Sequence, residues 1–125
     1  MRMITRKFII CYFQTDTTIF NIFHIYIMKI VSLVDSNRKN KRYKITMDDG
    51  KEFHFGLKDA LTYIDGADFK KRNAFLKRHL NNPLEKELIK NLIPSPALFA
   101  TYILWNTNDI DKNIKILNNK FSKLG

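Results

Sequence analysis

Hydrophobic and polar residues alternate strictly in only one part of the chain. Over 42–47, Tyr43, Ile45 and Met47 fall on one side and Arg42, Lys44 and Thr46 on the other, the period-two signature of a half-buried strand. Asp48-Asp49-Gly50 follows and supplies the left-handed position that a tight hairpin requires. The return segment, 51–55, sets Phe53 and Phe55 on one face and Glu52 and His54 on the other, with His54 expected on the exposed face of the sheet. A short β-branched segment at 29–34 precedes the turn-rich 35–40 and reads as the first strand. Three strands cannot enclose a core alone, so helices must cover the apolar face.

After Gly56 the spacing changes. Residues 57–64 suit a short helix, and Asp65 is a candidate N-cap for a basic helix over 67–80 with Phe69, Leu76 and Leu80 on its inner stripe. Arg72 and His79 lie beside that stripe and can reach inward. Pro83 opens a further helix whose inner face carries Leu84, Leu88 and Leu92. Residues 97–105 are apolar nearly all round and too short to span a bilayer, so they predict a central buried helix. The last helix has Ile110, Ile114, Leu117, Phe121 and Leu124 on one stripe, with Lys112, Lys115, Asn118 and Asn119 facing out. The predicted fold class is α+β: a three-stranded antiparallel β-meander followed by four or so α-helices packed on one face.

Residues 1–27 have a different character. Arg2, Arg6 and Lys7 precede an apolar run that is broken by Gln14, Asp16 and the adjacent threonines. A spanning helix needs about 20 mostly apolar residues, and no small-residue cleavage site follows. The segment therefore reads as an atypical leader ahead of a single basic domain at 28–125, without a membrane role. The change at Met28 favours it as the start, and the sequence leaves Met1 and Met28 both open.

Composition adds one fact of consequence. The net charge is +10, and residues 28–125 alone hold +8 (19 basic, 11 acidic). That excess favours an anionic partner. Two clusters carry it. Arg38, Lys39, Lys41, Arg42 and Lys44 form the first; Lys70, Lys71, Arg72, Lys77 and Arg78 form the second, with no acid between Phe69 and Leu80. Tyr43 and Phe75 lie among the charges, where they could stack on bases, although both suit inward packing better. The single cysteine, Cys11, allows no intrachain disulfide and gives no sign of secretion.

Little points to catalysis. His24, His54 and His79 lack the short spacings of metal ligands, so neither a metal nor another cofactor is expected; His79 suits a hydrogen bond at a helix end. Asp48 and Asp49 fit a turn, while Asp65, Asp68, Asp109 and Asp111 fit helix starts. There is no phosphate-cradling glycine loop. A magnesium-dependent nuclease built from scattered carboxylates is the weakest reading, and a non-enzyme the preferred one.

Several short motifs occur together: Lys41-Arg42-Tyr43, His54-Phe55-Gly56, Tyr63, Lys70-Lys71-Arg72, Leu76-Lys77-Arg78-His79 and Tyr102-Ile103-Leu104-Trp105-Asn106. In this order they resemble a small basic protein family of giant nucleocytoplasmic large DNA viruses (mimivirus- and phycodnavirus-like) over 28–121. The motif residues are His54, Phe55, Gly56, Arg78, His79, Leu104 and Trp105. Relatives tend to carry a histidine where Gly66-Ala67 stand, often a tryptophan after the Arg-His pair where Asn81-Asn82-Pro83-Leu84 follows here, and often an arginine where Thr101 stands. The resemblance brings no activity; it implies a viral origin and a place in the virion or the host cytoplasm, at the viral factory. Together with the charge it leaves two main readings: binding of DNA or RNA through phosphate contacts, or a virion structural protein docking to an acidic viral partner.

Overall fold

The computed structural model describes residues 28–124; the leader at 1–27 and the choice of start lie outside the described residues. Three strands, β1 (Ile30–Asp35), β2 (Lys41–Met47) and β3 (Glu52–Leu57), form an antiparallel sheet in the order β1-β2-β3. The register pairs Leu33 with Ile45, Asp35 with Tyr43, Tyr43 with Phe55 and Ile45 with Phe53. The alternation thus places one face of each strand over the core. A bulge between Ile30 and Ser32 interrupts the β1 edge. Gly50 takes φ +88° in the β2–β3 turn, donating to the Met47 carbonyl, and the Asp49 carboxylate accepts the Lys51 N–H.

A 3₁₀ turn, Tyr63–Asp65, stands where a short helix was expected, and Leu57 belongs to β3. Four helices follow: α1 (Phe69–Leu80), α2 (Pro83–Lys90), α3 (Pro96–Phe99), which continues into a π turn at Ala100–Leu104, and α4 (Ile110–Ser122). The fold is α+β, a three-stranded antiparallel sheet followed by four helices. Each helix start has a side-chain cap: Asp68 accepts Lys71 N–H, Asn82 accepts Leu84 and Glu85 N–H, Ser95 accepts Leu98 N–H and Asp109 accepts Asp111 and Lys112 N–H. Pro83 and Pro96 occupy first-turn positions, where a missing N–H costs nothing.

The 96–104 segment is the hub of the core, in contact with β3, α2 and α4. Phe99 is fully buried between Phe53 and Phe55, with ring centroids 5.4 and 5.9 Å away. Leu98, Ile103, Leu117 and Phe121 complete the centre. Leaving the α register at Ala100 frees carbonyls that must find donors. Asn113, fully buried, meets this need: its Nδ2 donates to the Ile103 carbonyl at 2.8 Å and the Thr107 carbonyl at 3.0 Å. Its Oδ1 accepts from Thr107 N and Oγ1. Asn118, expected to face out, instead holds β1 to α4, accepting the Ile30 N–H at 2.8 Å and donating to the Ile30 carbonyl.

Three apolar stripes differ from their expected burial. Phe69 and Leu80 are exposed; of the expected α1 stripe Leu76 packs on the core, joined there by Phe75. On α2, Leu84 is exposed and Ile89 is the buried residue. Leu124 is also exposed.

Candidate functional site

The first predicted cluster spans the β1–β2 turn and β2. The Arg42 guanidinium forms a two-pronged ion pair with the Asp65 carboxylate, both contacts at 2.6 Å. Asp65 also accepts the Thr62 N–H and hydroxyl. It is thus not the N-cap of α1; Asp68 takes that position. Hydrogen bonding to Arg42 holds the Asp65 carboxyl far below its usual range, with help from Thr62, and the same contact raises the Arg42 pKa. Lys44 pairs with Glu52 at 3.4 Å. Both residues are therefore committed to the fold. Arg38, Lys39 and Lys41 remain exposed and form no ion pair among the described residues.

His54 is buried, against expectation, with 9% of its surface exposed. Its Nδ1 shares a 2.7 Å hydrogen bond with the Ser36 hydroxyl, which also accepts the Arg38 N–H. The turn after β1 therefore folds over the sheet face that alternation assigned to solvent. Desolvation lowers the imidazole pKa, and Arg38 and Lys44 lower it further.

The second cluster occupies α1. Lys70, Lys71, Lys77 and Arg78 are exposed and form no ion pair among the described residues. Arg72 turns inward: its Nε donates to the Asn106 carbonyl at 3.0 Å, and its guanidinium lies over the rings of Tyr63 (5.6 Å) and Phe69 (5.5 Å). Arg78 lies over Phe75 at 5.6 Å. His79 meets Glu85 at 2.9 Å, so it does hydrogen-bond at a helix end. The two clusters adjoin through the 62–65 segment, which Arg42 grips at Thr62 and Asp65 and Arg72 covers at Tyr63.

The motif residues explain one another as packing. Phe55 is fully buried beside Tyr43 and Phe99. Gly56 has φ +81°, and a Cβ there would come within 3.1 Å of Leu104 and 3.2 Å of Arg42, so backbone conformation and space both demand glycine. Trp105 stacks on Phe75 at 4.6 Å with ring planes 12° apart, and His79 covers Phe75 at 4.1 Å. Tyr43 and Phe75, the two aromatics that lie within the charged runs, are thus held against the core.

An open cleft of about 500 Å³ lies beside the first cluster. Lys41, Arg42 and Lys58 line it, but so do Asp35, Asp59 and Asp65. Mixed charge makes it a poor receptor for a polyanion. Among the described residues, no group of three or more His, Cys, Asp or Glu side chains is arranged to hold a metal ion. No described helix is long and apolar enough to cross a membrane.

Sequence reasoning missed Asn113, Asn118 and the Arg42–Asp65 pair. Asn113 lies three residues after Ile110, on the apolar stripe itself, and that position was the available signal. No curated protein and no solved structure matches the chain. Residues 31–79, which hold the sheet, the 3₁₀ turn and nearly all of α1, match a family model described as a family of unknown function (DUF5754).

Proposed function

We propose that the protein binds nucleic acid through its phosphate backbone, without catalysis, and that α1 is the principal contact. One observation carries the reading. Lys70, Lys71, Lys77 and Arg78 are exposed and form no ion pair among the described residues, while the nearby acids are engaged elsewhere. Asp65 is held by Arg42, Glu85 by His79, and Asp68 caps α1. Arg38, Lys39 and Lys41, exposed in the turn before β2 and at its start, are a second set of cations open to phosphate. Each lysine or arginine that meets a phosphate releases condensed counterions, giving affinity that does not depend on sequence and falls as salt rises.

The test is fluorescence anisotropy with labelled oligonucleotides of mixed sequence, titrated at low salt and again at physiological salt. Binding at low salt that weakens steeply and equally across sequences supports the reading. Absence of binding at low salt rules it out and directs attention to an acidic protein partner.

A further inference from the structure

Phe69 is the one aromatic of α1 that the core leaves out. It is 60% exposed although the helical periodicity assigns it inward. Solitary apolar residues on a surface are ordinary, so exposure alone means little. The surroundings are what distinguish this ring. The Arg72 guanidinium lies over it at 5.5 Å, fixed in place by the Asn106 carbonyl and by Tyr63 beneath. Lys70 and Lys71 follow directly, exposed and without ion pairs among the described residues. The nearest acid in sequence, Asp68, has its carboxylate turned to the Lys71 N–H as the helix cap. A held aromatic ring thus stands among cations able to take phosphates.

A duplex hides its base faces within the stack and offers this surface only phosphate. A single strand offers phosphate and open base faces together, and aromatic side chains take any base because every base has a π face. From this juxtaposition we infer that Phe69 is a base-stacking platform and that the preferred ligand of α1 is single-stranded nucleic acid. The inference rests on the proposed phosphate binding and adds to it the class of nucleic acid.

The experiment compares the full chain with Phe69→Leu, Phe69→Tyr and the Lys70→Ala/Lys71→Ala double variant. The probes are a labelled oligothymidylate and a duplex of equal length, each titrated at several salt concentrations. Phe69→Leu keeps an apolar side chain of similar size and removes only the π face, so folding is not at stake at this exposed position. The expected result is about 5- to 150-fold weaker binding of the single strand by Phe69→Leu, the range that stacking of a base on an aromatic contributes. Its salt slope and duplex affinity stay unchanged, and Phe69→Tyr binds as wild type. The lysine variant lowers the salt slope with both probes. If wild type binds both probes equally and Phe69→Leu matches it, the stacking inference is wrong and phosphate binding stands. If wild type binds neither probe at low salt, both are wrong.

Discussion

The two basic clusters have similar charge density in sequence and different fates in space. In the β2 cluster, Arg42 and Lys44 meet Asp65 and Glu52; the first pair ties the sheet to the segment that leads into α1, and the second joins β2 to β3. In α1 none of the cations meets a carboxylate among the described residues; Arg72 and Arg78 lie over aromatic rings and the lysines reach into water. The contrast shows that a run of lysine and arginine becomes a binding surface only where the fold leaves it uncompensated. A strand inside a sheet has neighbours on both sides that can supply acids. A helix with one face on the core leaves the opposite face to solvent.

The largest way to break the comparison is to remove Arg42. Arg42→Ala deletes two charge-assisted hydrogen bonds and leaves Asp65 with Thr62 alone. The pair is only partly shielded from solvent, which moderates its worth, and we expect a loss of about 2 kcal/mol in urea unfolding. Gly56→Ala should cost about as much, roughly 2 kcal/mol, because it imposes a left-handed conformation on alanine and crowds Leu104 and Arg42. Equal stability of either variant and wild type would mean that this end of the sheet is not the structural junction described.

Acid titration sharpens the contrast through the same junction. The folded pKa of Asp65 lies below its ordinary 3.8, so its contribution to stability is present above that value and declines as pH falls beneath it. His54 is depressed from 6.5; the folded state favours the neutral ring, and its contribution is lost as pH falls below 6.5. Urea midpoints measured from pH 8 to pH 2 should therefore decline in two stages, the lower one still in progress at the acid limit. Arg42→Ala should shrink the lower stage and His54→Asn the upper. The smallest expected effect belongs to α1: Lys70→Ala or Lys77→Ala should change stability by no more than about 0.5 kcal/mol, since both lysines are exposed and neither forms an ion pair among the described residues.

The legible parts of the fold were those set by local pattern. Alternation over Tyr43, Ile45 and Met47 specified the sheet and its faces because period two admits one buried set. Gly50 and the prolines marked turns and helix starts. What alternation could not reveal was which long-range partner claims a side chain. Arg42 and Asp65 lie 23 positions apart, and Asp65 read as a helix cap because nothing local distinguishes the two uses. His54 was assigned to the correct face, but a turn closing over that face has no signature in β3. Asn118 read as polar exterior, and Asn113 passed without a role, because an amide can serve water or a freed carbonyl equally well. In the candidate site, charge clusters were visible, whereas the neutralisation of Arg42 and Lys44 and the exposure of Phe69 came only from packing.

The central claim is that α1, and not the sheet, presents the uncompensated charge. Its most direct test is the slope of log Kobs against log salt for single-stranded oligonucleotide, measured for wild type, Lys70→Ala/Lys71→Ala/Lys77→Ala and Lys44→Ala. With a slope contribution of about 0.7 for each phosphate contact on a single strand, the triple variant should reduce the slope by about 2, while Lys44→Ala leaves it unchanged. An unchanged slope in the triple variant, or a larger fall in Lys44→Ala, would contradict the account.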